Sequence, residues 1–110
     1  MKKGALKVWQ EYNAQQFAGV LADIGDVRSM KNFLRDVMTE KEIIEISSRL
    51  EAAKMLKAGV KYTIIAEETK LSSRTIARIS EWLKNGCKGY DEALTLVNKN
   101  HTHIPPASAA

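Results

Sequence analysis

Tyr62–Leu83, YTIIAEETKLSSRTIARISEWL, decides the reading of this 110-residue chain. Counted from Tyr62 as position 1, its spacing is that of a helix-turn-helix, two short helices of which the second lies in the major groove of DNA. Position 5 is Ala66, small enough for two helices to cross closely. Positions 4, 10, 15 and 18 are Ile65, Leu71, Ile76 and Ile79, an apolar set that fills the wedge between the helices. Ser72 and Ser73 follow the turn, and either can cap the second helix by accepting a bond from a free backbone N–H. Beyond the cap, Arg74, Thr75 and Arg78 point away from the apolar stripe. Position 9, where the turn favours glycine in a left-handed conformation, is Lys70.

The charge balance agrees with that reading. The chain carries a net +4 with 27% charged and 45% hydrophobic residues, ordinary for a globular protein. From Lys54 to Lys88 there are eight Lys or Arg against three acids, a local +5 that exceeds the total. An excess placed there suits an acidic partner such as DNA. Cys87 is the sole cysteine, so no intrachain disulfide forms, and a reducing, cytoplasmic setting is expected. With no base beside it, Cys87 reads as a small apolar filler. No signal peptide or membrane span is legible.

Outward from the motif, helical periodicity continues. Leu6, Trp9, Tyr12, Phe17, Val20, Leu21 and Ile24 predict a first helix over residues 6–24. Asp26 caps a second, Val27–Met38. Thr39 caps a third, with Glu42 completing a capping box; its apolar positions are Ile43, Ile46, Leu50, Ala53 and Leu56 or Lys57, and Gly59 ends it. After the motif, Asn85-Gly86 closes its second helix and Gly89 breaks the chain. Asp91–Val97 forms a sixth helix. The expected organisation is one all-α, six-helix domain over residues 1–98, with the helix-turn-helix at 62–83 and a flexible tail over 99–110. His101 and His103 in that tail make a poor metal site, and no catalytic set or cofactor loop assembles. The first two helices leave Trp9, Phe17, Met30 and Phe33 more exposed than six short helices can cover, which predicts a dimer.

From Phe33 to Leu94, FLRDVMTEKEIIEISSRLEAAKMLKAGVKYTIIAEETKLSSRTIARISEWLKNGCKGYDEAL resembles the Trp repressor superfamily, most of all its YerC/YecD-type regulators. The resemblance rests on Phe-Leu, Met-Thr-Glu, Ser-Arg-Leu, Ala-x-x-Leu-x-x-Gly and the helix-turn-helix. It implies an all-helical, interlocked homodimer that regulates transcription, as a repressor, by binding palindromic duplex DNA. It also implies that Ser73, Arg74, Thr75 and Arg78 lie where base edges are read, and Lys61 and Thr63 near phosphate contacts. Thr39 and Arg49 match positions around the tryptophan slot of that superfamily. Ile79 takes the place of the slot's second arginine, Ser80 of the glycine after it, and Leu83 of the serine that meets the ligand's amino group. Binding of an L-tryptophan corepressor is therefore not expected, and Arg49 is expected to pair with an acid such as Glu45. Two other readings compete: a helical protein-interaction module, and a nucleic-acid binder without sequence preference, each using the same basic face.

Overall fold

A computed structural model describes residues 7–100, with the side chain of Asn100 excepted. Six helices lie wholly within the described residues, with no strand: α1 Tyr12–Asp23, α2 Val27–Val37, α3 Glu40–Lys57, α4 Tyr62–Thr69, α5 Ser73–Asn85 and α6 Gly89–Asn100. The contacts divide the chain into two compact units, Met1–Ser48 and Arg49–Ala110, and the division falls inside α3.

In the first unit the expected helix over residues 6–24 is interrupted. Lys7 and Val8 are helical and residues 9–11 turn, with Gln10 N–H donating to the Lys7 carbonyl at 3.1 Å and Glu11 N–H to Val8 at 3.2 Å. The Gln15 side-chain amide donates to the Trp9 carbonyl, the acceptor that an unbroken helix would have offered to the Asn13 backbone. The helix therefore starts afresh at Tyr12. Both following caps form where the residue types predict. Asp26 accepts from Ser29 N–H at 2.8 Å, opening α2. Thr39 accepts from Glu42 N–H at 3.1 Å while the Glu42 carboxylate accepts from Thr39 N–H at 2.8 Å, a reciprocal capping box at the start of α3. Phe17 of α1 meets Phe33 of α2, ring centroids 6.0 Å apart and tilted by 37°, within the range of favourable aromatic pairs. Even so, neither α1 nor α2 holds a buried side chain.

The second unit holds the core. Ala52 and Ala53 of α3, Ile65 of α4, Ile76 and Ile79 of α5 and Leu94 of α6 form one buried cluster. Three isoleucines in it have no exposed surface, and each burial stabilises by about 1.5–3 kcal/mol. The expected stripe on α3 holds at Leu50, Ala53 and Leu56, which belong to this cluster or pack against it; it is corrected at Ile46, which is exposed, while Ala52 joins the buried face. Gly59 ends α3 as expected, at φ 81°. Val60 N–H reaches the Met55 carbonyl at 3.0 Å and Gly59 N–H that of Leu56 at 3.1 Å, the paired bonds of a Schellman stop.

The break expected at Gly89 is displaced by one residue. Gly89 is the first residue of α6, and the turn before it is made by Lys88 at φ 68°. Asp91 and Glu92 in the first turn of α6 suit the positive end of its dipole, and Asp91 pairs with Lys57 at 3.0 Å, joining α6 to the end of α3. This helix runs to Asn100, beyond the expected end at Val97. His101, His103 and the rest of the expected tail lie outside the described residues.

Candidate nucleic-acid interface

The turn between α4 and α5 places the basic face, and the sequence builds that turn from four residues. Thr69 is buried and its hydroxyl donates to the Ile65 carbonyl at 2.7 Å. The same oxygen accepts from Leu71 N–H at 3.3 Å, holding the chain as it leaves α4. Lys70 then takes φ 62° and ψ 15°, its N–H bonded to the Ala66 carbonyl. This is the left-handed shape that glycine usually supplies, and for lysine it costs on the order of 1 kcal/mol. The geometry of the turn therefore survives the substitution. Leu71 is half-buried against the core. Of the two serines able to cap α5, Ser72 is the one that does, accepting from Thr75 N–H at 3.1 Å.

Ser73 is left as the first residue of α5, exposed. Arg74 and Arg78, one helical turn apart, are both exposed, while Ile76 and Ile79 between and beyond them are fully buried. With about 3.6 residues per turn, the two guanidinium groups share the face opposite the core. Thr75 differs from its neighbours. It is half-buried, and its Oγ1 accepts from the Ser72 hydroxyl at 3.0 Å, so part of its capacity is spent inside the cap. Farther along the exposed face, Asn85 donates to the Glu81 carboxylate at 2.8 Å, which partly satisfies the one acid there. Gly86 closes the helix, its N–H on the Trp82 carbonyl at 2.8 Å. A side chain is excluded at that position, because a Cβ would lie 2.5 Å from the same carbonyl oxygen.

Lys61 and Thr63 are exposed at the start of α4. Lys61 is the N-cap residue and no side chain caps this end, so the first N–H groups of α4 face outward beside a lysine, an arrangement suited to a phosphate oxygen. Ser73, Arg74, Arg78, Lys61 and Thr63 thus belong to one two-helix unit, and all are exposed.

The residues expected around a ligand slot are not alike. Thr39 spends its hydroxyl in the capping box. Ile79 has no exposed surface and Leu83 packs against the core cluster. Arg49 is half-buried and lies near Tyr90, whose hydroxyl is pushed above its ordinary value of 10.0 by burial, against the opposing pull of the Arg49 charge. Cys87 is exposed, which corrects its reading as an apolar filler: it sits in the turn past Gly86, where no core residue reaches it. Among the described residues no group of His, Cys, Asp and Glu could hold a metal, and no helix is long and apolar enough to cross a membrane.

Sequence reasoning missed two parts of this interface. Thr69 was legible only as a helix residue, although a threonine one position before a left-handed turn is well placed to bond back to the carbonyl four residues earlier. The Glu81–Asn85 pair carries its signal in the i, i+4 spacing.

Comparison with known proteins agrees with this architecture. The family model described as Trp repressor protein matches residues 12–98. The chain is 35% identical over 88 residues to the uncharacterized protein YerC of Bacillus subtilis (strain 168), covering 80% of this chain and 84% of that one. Its fold is similar to the crystal structure of a TrpR-like protein from Eubacterium eligens, with a TM-score of 0.77 and 32% identity over 84% of this chain and 95% of that one. A putative Trp repressor from Staphylococcus aureus gives a TM-score of 0.76 at 27% identity, over 84% and 93% of the two chains. The helix-turn-helix, the six-helix order and these likenesses together place the chain in the Trp repressor family.

Proposed function

We propose that this protein is a sequence-specific DNA-binding transcriptional regulator, acting as a repressor from a homodimer in the cytoplasm. Family membership supports a DNA-binding regulator, and the observation that carries the finer reading is the two-sided build of α5. One side is locked by Ile76 and Ile79 at zero exposure; the other presents Arg74 and Arg78 to solvent behind the Ser72 cap. Long planar donors held on a rigid helix suit the O6 and N7 acceptors of guanine in the major groove. A surface that merely had to be positive would not need them on the face of a capped helix.

The dimer is supported by what the first unit leaves uncovered. Trp9, Tyr12, Phe17, Val20 and Val27 are all exposed, although every one is apolar or aromatic. Surfaces of that kind meet a partner, and in a regulator of this class the partner that also doubles the reading head is a second copy.

DNA binding on this reading needs no L-tryptophan. The expected slot residues Ile79 and Leu83 are drawn into the core, where they offer an incoming zwitterion no polar partner, and an unpaired charge in such a place is costly. The function is tested by fluorescence anisotropy on a selected duplex, with unlabelled unrelated duplex as competitor. Binding that survives a large excess of competitor is expected. Equal displacement by any duplex favours a binder without sequence preference, and no binding at all favours the protein-interaction reading.

A further inference from the structure

Lys70 sits in a backbone conformation that disfavours it, and nothing in the turn asks for a lysine. Its φ of 62° is one that glycine adopts at least cost. The hydrogen bonds of the turn come from the Lys70 backbone N–H and from the Thr69 hydroxyl, and glycine would make the same bonds with less strain. Lys70 is exposed, so burial of its stem does not compensate. Among the described residues no ion pair holds its ammonium group. What glycine cannot supply is the charge.

The position of that charge gives it a use. Lys70 stands three residues before Ser73, the first residue of α5, so the two Cα atoms lie within about 11 Å. Its flexible four-carbon stem extends the reach of the ammonium group. The end of α5 that carries Ser73 and Arg74 is the end that would enter the major groove, which is about 12 Å wide and rimmed on both sides by phosphates. We propose that Lys70 is a phosphate-contacting residue beside the groove-entering end of α5, held in a strained turn at the expense of the turn's stability. This rests on the DNA-binding reading of α5 and adds to it a residue that the helix-turn-helix pattern treats as a purely structural position.

Two variants separate charge from strain. Lys70→Gln removes the charge and keeps the left-handed side chain; Lys70→Gly removes both. Thermal melts and DNA titrations over a salt series, on a selected and an unrelated duplex, are run beside the unaltered protein. Lys70→Gly should melt about 4 °C higher or more, and Lys70→Gln should melt close to the original. Both should bind more weakly at low salt, by about five-fold for each subunit's contact, as expected for one charge pair at about 4 Å in water. The loss should be alike on the two duplexes, and the slope of log K against log salt should shrink by about 0.9 per contact. Variants that keep both the affinity and the salt slope while Lys70→Gly gains stability would overturn the proposal and leave the DNA-binding reading standing. An unaltered protein that binds no duplex would overturn both.

Discussion

At the scale of residues, two side chains separated by less than a helical turn have opposite tasks. Ile79 is wholly buried at the junction of α3, α4, α5 and α6. Ile79→Ala should destabilise the fold by about 2–5 kcal/mol, because the truncation leaves a cavity that helices on several sides cannot all close; urea unfolding followed by circular dichroism measures it. Arg78, next to it in the chain, is exposed. Arg78→Ala and Arg74→Ala should leave the unfolding midpoint near that of the unaltered protein, yet each should cost about 1–3 kcal/mol of affinity on the preferred duplex and relax its sequence preference. An anisotropy titration in which either variant keeps full discrimination between duplexes would remove that arginine from base reading. Thr75 is a weaker candidate than its neighbours, since its Oγ1 already accepts the Ser72 hydroxyl.

At the scale of elements, the helix starts were the most legible part of the sequence. Asp26 and the Thr39–Glu42 pair needed only local chemistry, a short oxygen-bearing side chain facing free N–H groups, and both form as their spacing predicts. The same bonds give a pH dependence. Backbone N–H donation, first of all from Ser29, holds the Asp26 carboxyl below its ordinary 3.8, and donation from the Thr39 N–H holds that of Glu42 below 4.5. A carboxyl lowered on folding stabilises the fold above its unfolded pKa and loses that contribution as pH falls through the folded value. The start of α3 should therefore loosen as pH drops below about 4.5 and that of α2 below about 3.8, seen as faster amide exchange there on acidification, after correction for the intrinsic rate. Thr39→Ala should weaken α3 by about 0.5–2 kcal/mol and reduce that acid response; an unchanged response would mean the capping box does not hold the helix end. Elements set by distant contacts were less legible. The interruption before Tyr12 depends on the Gln15 side chain taking the Trp9 carbonyl, which no apolar period reports. Burial on α3 changes along its length, from exposed Ile46 to buried Ala52 and Ala53, a difference that the apolar period of the helix does not report. The basic face of α5 was readable because it needs nothing beyond α5 itself: two arginines four apart, opposite two isoleucines three apart.

At the scale of the whole molecule, the proposed function links assembly to DNA recognition. The exposed aromatic and aliphatic side chains of the first unit make a homodimer the expected species, and sedimentation equilibrium at micromolar concentration should give about twice the chain mass of 12.3 kDa. A single species at 12.3 kDa would leave that surface to some other partner. A dimer carries two copies of α5, and reading one face of the duplex requires them about 34–36 Å apart, one turn of DNA. Titration calorimetry with L-tryptophan should give no heat beyond dilution, with or without duplex, since Ile79 and Leu83 are committed to the core; a micromolar binding isotherm would show that a slot remains open. The central claim, that α5 reads base sequence as one of a symmetric pair, is tested most directly by selection from a random duplex library with purified protein and no added L-tryptophan. The expected result is enrichment of a two-fold symmetric sequence whose half-sites lie about 10–10.5 base pairs apart. A folded protein that recovers duplexes without enriching any sequence would contradict it.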